Sequence, residues 1–159
     1  MVDIVAEIAG NFTTLEEGEK LIGAAKYAGV SSVKLQTFVP EKLATSSAKF
    51  EMQKTGVVSQ IELFEQAKLS YEDHTKLIKF ARNINLDIFS TPSHEEDATF
   101  LRGLGIKKFK IGSDDALNFR LIGHCADLGN EVIVSTGMCS LEEIHQLYEF
   151  VRRLEIKAT

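Results

Sequence analysis

Two lysines of this sequence stand where a lone charge is expensive, and the residues near them suit the binding of an anion. Lys34 lies in the apolar run VKLQT, and Lys110 lies in the apolar run FKIGS. An unpaired ammonium group costs several kcal/mol when it is buried. Hydroxyl side chains end or follow three similar runs, at Thr91, Ser113 and Ser135. A phosphate or carboxylate held by these lysines and hydroxyls would remove the cost.

Side-chain alternation supports a shared site for the two lysines. Successive residues of a strand point to opposite faces, so Lys34, Gln36 and Lys110 lie on the face away from their apolar neighbours. A single lysine in a strand is more often a residue that extends to solvent at a sheet edge. Two lysines at matched positions, with three hydroxyls at strand ends, favour an anion site.

Other polar residues are assigned more weakly. Glu7 and Asn11 end the first apolar run, whereas the pair Asp114 and Asp115 fits either a ligand site or a charge pair at a helix N-terminus. The histidines occur in helical patterns without metal-ligand spacing, which favours structural or solvated roles, and the cysteines fit small buried positions. These residues are His74, His94, His124, His145, Cys125 and Cys139.

A repeated unit must position these residues: an apolar run, a turn, a capping sequence and a segment with helical period. It occurs five times, and we predict strands at residues 3–8, 32–37, 86–90, 107–111 and 131–135. Repeated units of this kind imply parallel strands covered by helices. The predicted fold class is therefore α/β, with a parallel sheet of five βα units. Ligands bind beyond the carboxyl ends of such strands, where the polar residues collect.

Capping patterns predict the helix boundaries. A hydroxyl residue followed three positions later by an acid marks a helix start, with Glu17, Glu142 and Glu143 as capping acids. The long connection 38–69 is predicted to be a lid or substrate loop with a short helix at 61–67. The four start patterns begin at Thr14, Ser70, Ser93 and Ser140, and left-handed glycines are expected after helices at Gly29, Gly105 and Gly129.

Composition excludes several classes of protein. The chain has 159 residues, of which 44% are hydrophobic and 26% charged, as expected for one globular domain. Its net charge is −5 and no Lys/Arg run exceeds two residues, so we expect neither a nucleic-acid partner nor a membrane surface. No signal peptide or membrane span is recognisable, and the two cysteines cannot form a disulfide framework, which predicts a cytoplasmic protein.

Five stretches together resemble the sialic acid synthase family in order and spacing: AEIAGN (6–11), VKLQTF (33–38), STP (90–92), FKIGSDD (109–115) and VSTGM (134–138). The resemblance implies an eight-stranded (β/α) barrel of the TIM type. It also implies condensation of phosphoenolpyruvate with an N-acylated amino sugar such as N-acetylmannosamine, giving a nine-carbon sialic-type acid and phosphate. In that reaction a divalent ion, manganese or magnesium, polarises the sugar aldehyde for attack by the enol carbon.

The resemblance also implies roles for individual residues. Glu7 and Lys110 would be catalytic, and Gln36 and Asn11 would contact the sugar. It assigns the metal-ligating histidines to later strands, so this chain is expected to hold no metal or other cofactor itself. The residues implied to bind phosphoenolpyruvate are Lys34, Thr91, Lys110, Ser113 and Ser135.

The sequence departs from the family at two positions and in length. Phe12, with Thr13 and Thr14, stands where the family has His-Asn-Gly, and Asp114 replaces a glycine. A complete barrel needs about 200 residues or more. We therefore expect residues 1–159 to form one domain, a truncated N-terminal portion of the barrel. It would keep the phosphoenolpyruvate half-site, lack activity alone, and self-associate to cover exposed strand edges.

Two other functions fit the same residues. One is a related phosphoenolpyruvate-dependent synthase with another acceptor, as in the heptulosonate phosphate synthases. The other is a non-catalytic phosphate-binding module with a flavodoxin-like open sheet.

Overall fold

The computed structural model describes residues 2–52, 56–129, 131–154 and 157–158. The chain divides into two compact units, Met1–Ile88 and Phe89–Thr159. None of the helices in the described ranges is long and apolar enough to cross a membrane.

The first unit pairs two parallel strands and carries an antiparallel hairpin. β1 runs parallel to β2, and Glu7 lies opposite Lys34 in their register. β3 and β4 form the hairpin. The elements of this unit are β1 (Val5–Glu7), α1 (Leu15–Tyr27), β2 (Ser32–Thr37), α2 (Pro40–Leu43), β3 (Lys49–Met52), β4 (Gly56–Ser59), α3 (Gln60–Ala67) and α4 (Tyr71–Asn83).

The second unit contains a parallel sheet flanked by helices. β5 (Asp87–Pro92) begins in the first unit and ends in the second, and the sheet order from there is β5-β6-β7-β8. All pairs in this order are parallel. The remaining elements are α5 (Glu95–Gly103), β6 (Lys108–Ile111), α6 (Phe119–Leu128), β7 (Glu131–Val134), α7 (Leu141–Val151) and β8 (Lys157–Ala158).

The five predicted strands correspond to β1, β2, β5, β6 and β7, so the α/β class with parallel strands is confirmed. Lys157 and Ala158 also pair in parallel with β7, so β8 adds a sixth parallel strand to the five that were predicted.

The predicted alternation in β2 and β6 is confirmed by burial. Val33 and Leu35 in β2 are buried, as are their counterparts Phe109 and Ile111 in β6. Lys34 and Lys110 are half-buried and Gln36 is exposed. The apolar residues thus form the core on one face of each strand, and the polar residues occupy the other.

Three of the four predicted helix starts are confirmed. Thr14, Ser70 and Ser140 each cap a helix by accepting a hydrogen bond from the backbone three residues on. The prediction at Ser93 was wrong by one residue, because His94 is the N-cap of α5 and its backbone N–H donates to Asp97. Asp97 is only 1% exposed, and its burial favours the shifted cap.

Two of the three predicted left-handed glycines are confirmed. Gly29 and Gly105 have φ of +79° and +81°. Gly129 has φ of −113° and extended backbone, so the prediction there was wrong. A Cβ at Gly129 would lie 2.7 Å from the Lys107 carbonyl oxygen and 2.8 Å from the Phe109 ring. Gly129 is required for close packing against β6.

The connection 38–69 has more regular structure than the sequence indicated. The predicted short helix is confirmed as α3, but the hairpin of β3 and β4 was not predicted. Phe64 of α3 makes edge contacts with Phe38 at 5.7 Å and with Phe50 at 5.9 Å between ring centroids. These aromatic contacts connect the hairpin to the helix.

Candidate functional site

In the second unit, Lys110 and Ser135 are brought together. Lys110 projects from β6, and its Nζ donates to Ser135 Oγ at 2.5 Å and to the Ile111 carbonyl oxygen at 2.6 Å. Ser135 follows β7, and its backbone N–H donates to the same carbonyl at 3.1 Å. The parallel pairing of β6 and β7 therefore places an ammonium group and a hydroxyl at one point of the sheet. Both groups are half-buried donors suited to an anion.

Thr91 and Ser113 lie at the carboxyl ends of neighbouring strands in the same unit. Thr91 is the next-to-last residue of β5, Ser113 follows β6, and both are half-buried. Because β5 and β6 are paired, their carboxyl ends lie at the same edge of the sheet. Thr91 and Ser113 therefore supply further hydroxyl donors at the carboxyl ends of the strands, where Lys110 and Ser135 meet.

The two aspartates after β6 have different surroundings. Asp115 organises the turn before α6: its carbonyl oxygen accepts from the Asn118 N–H at 2.9 Å, and its Oδ1 accepts from Asn118 Nδ2 at 3.2 Å. Asp114 is exposed, and its carboxylate lies over Gly112. The first turn of α6 contains no acidic residue, so the interpretation as a charge pair inside a helix N-terminus was wrong. Asn118 caps that helix instead.

In the first unit, Lys34 forms an ion pair with Glu7. Lys34 Nζ lies 2.7 Å from Glu7 Oε2, with the lysine side chain 12% exposed and the glutamate 53% exposed. Glu7 Oε1 also accepts from the Ala9 N–H at 3.0 Å. Both residues were expected to contact substrate, and their pairing was not predicted. The pairing depends on the register of β1 and β2, in which Glu7 lies opposite Lys34.

The predicted sugar contacts, Asn11 and Gln36, are both exposed at carboxyl ends of strands in the first unit. Asn11 is fixed by its own loop: its Nδ2 donates to the Ala9 carbonyl oxygen and its N–H donates to the Ile8 carbonyl oxygen. The neighbouring Phe12 turns toward α1, with its ring 3.0 Å from where a Cβ of Gly18 would lie. Phe12 therefore acts as a packing residue in this loop.

His74 is a buried polar residue whose contacts the sequence did not predict. It is 0% exposed in α4. Its Nε2 lies 2.9 Å from both Thr37 Oγ1 and the Gln36 carbonyl oxygen, and its Nδ1 lies 2.9 Å from the Ser70 carbonyl oxygen. The expected structural role is consistent with this burial, but the connection to the end of β2 is new.

His94 caps α5, His124 makes a contact between helices, and the two cysteines are buried or half-buried. His124 Nε2 lies 2.9 Å from Thr99 Oγ1 between α6 and α5. Burial raises the pKa of the Cys125 thiol to about 12, so this cysteine stays protonated at neutral pH. Cys139 is half-buried. Across the described ranges, no three His, Cys, Asp or Glu side chains are grouped to hold a metal ion.

Comparison with known proteins identifies one family and several sugar-acid synthases that this chain resembles. Residues 21–158 match the family described as the NeuB family. An N,N'-diacetyllegionaminic acid synthase of Legionella pneumophila is 34% identical over 154 residues, 94% of this chain and 43% of the relative. A pseudaminic acid synthase of Campylobacter jejuni is also 34% identical, over 95% of this chain and 46% of the relative.

The fold is shared with a solved sialic acid synthetase. The crystal structure of the N-acetylneuraminic acid synthetase from Leptospira borgpetersenii superposes with a TM-score of 0.82 at 24% identity, over 99% of this chain and 52% of that one. This similarity establishes the barrel-type α/β fold. The chain spans less than half the length of the two curated relatives.

Proposed function

Since the chain belongs to the NeuB family, we propose that it supplies the phosphoenolpyruvate-binding residues of a sialic-acid-type synthase. The proposed reaction joins phosphoenolpyruvate to N-acetylmannosamine or a related amino sugar. It yields a nine-carbon acid and phosphate.

The observation that carries this proposal is the contact of Lys110 with Ser135. Lys110 donates to two uncharged oxygens, a hydroxyl and a carbonyl. An anionic oxygen is a stronger acceptor for an ammonium group than either of these. A phosphate or carboxylate of phosphoenolpyruvate could therefore replace one of them, while the Ser135 hydroxyl rotates to donate to the same ligand.

Roles for the other predicted residues follow from the family resemblance. In the second unit, Thr91 and Ser113 would add hydroxyl donors to the phosphoenolpyruvate site. In the first unit, Lys34 would contribute a second ammonium group, and Glu7 would face the reacting carbon. The sugar contacts would be Gln36 and Asn11, both of which are exposed.

The family resemblance also implies a divalent metal ion, and the residues described here do not fit one. No three potential protein ligands come together in residues 2–52, 56–129, 131–154 or 157–158. Metal sites of this kind need several carboxylate or imidazole ligands at short distance. The chemistry assigned to this chain is therefore the binding and orientation of anionic substrate.

Calorimetric titration with phosphoenolpyruvate tests the proposal. We expect the wild-type chain to bind and Lys110→Met to lose at least about tenfold in affinity, because a charge-assisted hydrogen bond is removed. Lys108→Met is the matched control. Lys108 lies on the same strand two residues earlier, where its Nζ is 3.9 Å from Glu131 Oε2.

The control variant should bind as the wild type does. Failure of the wild-type chain to bind phosphoenolpyruvate would overturn the proposal. Equal losses in the Lys110 and Lys108 variants would instead show that only the overall positive charge of β6 matters, which contradicts a defined site at Lys110.

We also propose that the chain forms a homo-oligomer. The feature that supports this is an apolar edge strand. β1 pairs with β2 on one side and is the edge of its sheet, among the residues that the structure describes. Val2, Ile4 and Val5 in and before this strand are 84%, 60% and 42% exposed. Exposed apolar edge strands favour association with another chain.

A further inference from the structure

His74 connects the start of α4 to the end of β2. Its ring lies between the Ser70 carbonyl oxygen on the helix side and two oxygens of β2, the Gln36 carbonyl and the Thr37 hydroxyl. All three distances are 2.9 Å. The side chain is excluded from solvent, as are Leu77 and Ile78 on the same helix. A buried imidazole with contacts on both sides cannot move without breaking one of them.

The surrounding oxygens restrict how the ring is protonated. A carbonyl oxygen only accepts, so Nδ1 must carry a proton to bond Ser70. The same carbonyl also accepts from the His74 backbone N–H at 2.9 Å, so one residue donates to it twice. On the other side, Nε2 either accepts from the Thr37 hydroxyl or, in the charged ring, donates to β2. In the neutral ring Nε2 bonds Thr37 alone, and in the charged ring it can donate to the Gln36 carbonyl oxygen, so either form bonds a residue at the end of β2.

The residues of β2 that His74 contacts lie at or beside the proposed substrate contacts of that strand. Gln36, whose carbonyl faces the ring, presents its exposed side chain on the opposite side of the strand, and Lys34 lies two residues earlier on the same face. We propose that His74 is a positioning residue that fixes the carboxyl end of β2 so that Gln36 and Lys34 keep their orientation. The claim that this orientation serves substrate binding rests on the proposed function. The claim that His74 fixes the end of β2 does not.

Two amide variants separate the two sides of the ring. In His74→Gln the amide lies at about the distance of Nε2 and can still reach β2. In His74→Asn the amide is one methylene shorter and reaches only the Ser70 side. Both replacements are uncharged and polar, so they differ mainly in whether the bond to β2 survives.

Amide hydrogen exchange in the ligand-free chain is the measurement. We expect exchange at residues 36–38 to be about tenfold faster in His74→Asn, as for loss of one hydrogen bond, and close to wild type in His74→Gln. Exchange at Ile22, a buried residue of α1, monitors global stability and should be the same in both variants. The test uses no ligand, so a chain that fails to bind phosphoenolpyruvate leaves it intact.

Two results would overturn the inference. One is an equal increase in exchange at residues 36–38 and at Ile22 in both variants, which indicates a purely structural core residue. The other comes from the wild-type chain and needs no variant to fold: a ¹⁵N spectrum showing the Nδ1 of His74 without a proton. If the amide hydrogens of residues 36–38 exchange in His74→Gln as they do in the wild type, titration of the two variants with phosphoenolpyruvate tests whether the fixed end of β2 matters for substrate binding. We expect weaker binding only for His74→Asn.

Discussion

The two buried-strand lysines are stabilised in different ways. Lys34 is paired with the carboxylate of Glu7 on the neighbouring strand, at 2.7 Å. Lys110 donates to the uncharged oxygens of Ser135 and Ile111. A carboxylate partner competes with an anionic ligand for Lys34. Lys110 lies beside the Ser135 hydroxyl, a second donor for such a ligand, so we propose that Lys110 makes the first contact with phosphoenolpyruvate.

The ion pair in the first unit should contribute measurably to stability. A double-mutant cycle with Glu7→Gln and Lys34→Met is expected to give a coupling free energy of about 1 kcal/mol, measured by urea unfolding. Partial exposure of Glu7 keeps the value well below that of a fully buried pair.

The control cycle uses Glu16→Gln and Lys20→Met. That pair is also 2.7 Å apart, but its side chains are 76% and 72% exposed. We expect a coupling of about 0.3 kcal/mol there, typical of helix pairs on the surface. A coupling for Glu7 and Lys34 no larger than the control would contradict the assigned strength of the ion pair.

Among the secondary-structure elements, the helix caps are stabilised by interactions between residues that are close in sequence. Ser140 and Glu143 form a complete capping box at the start of α7: each side chain accepts from the other residue's backbone N–H. We expect Ser140→Ala to lower the free energy of unfolding by about 1 kcal/mol in urea titrations. Ser93→Ala is the matched control, since Ser93 precedes the actual cap of α5, and should change stability by less than about 0.5 kcal/mol.

The same box gives an expected pH dependence. Hydrogen bonds from the Ser140 backbone and side chain lower the pKa of Glu143 from its usual 4.5. A carboxyl whose pKa is lower in the folded state stabilises the fold above pH 4.5, and this contribution is lost as the pH falls through the lowered value. Ser140→Ala keeps the backbone hydrogen bond and removes only the side-chain contribution to this lowered pKa, so the difference in stability between wild type and Ser140→Ala should narrow in acid by that contribution. A difference that stays constant from neutral pH to pH 3 would contradict this account.

Much of the fold could be predicted because its signals are local. Strand alternation and three of the four capping patterns depend on residues within one turn or one strand. At α5 two patterns overlap, Ser93 with Glu96 and His94 with Asp97, and only the burial of Asp97 decides between them. Gly129 was misassigned because its role depends on the approach of Lys107 and Phe109, which its neighbours in sequence do not reveal.

The site was predicted less completely, for the same reason. Residue types at strand ends identified Lys110 and Ser135, and the structure brings them together. The pairing of Lys34 with Glu7 needed the strand register, and the contact of His74 with β2 needed the packing of α4. Side-chain contacts between distant segments are set by tertiary structure, so the sequence supplied the candidates and left several of their partners undetermined.

For the whole molecule, net charge and exposed surface set the conditions for binding. The chain carries a charge of −5, so its long-range field would oppose the anionic substrate that we propose, and the attraction would have to come from local groups such as Lys110. The predicted membership of the sialic acid synthase family and the α/β class are both confirmed.

The exposed edge strand gives a prediction for the assembled protein. Ile4 is 60% exposed beside β1, and a lysine there would place a charge on the edge without entering the core. We expect light scattering at micromolar concentration to show an oligomer for the wild type and a smaller species for Ile4→Lys. Tyr27→Lys is the control, because Tyr27 is 96% exposed at the end of α1 and its loss removes apolar surface away from the edge. A monodisperse wild-type monomer would refute self-association, and an equal effect of both variants would place the contact elsewhere than β1.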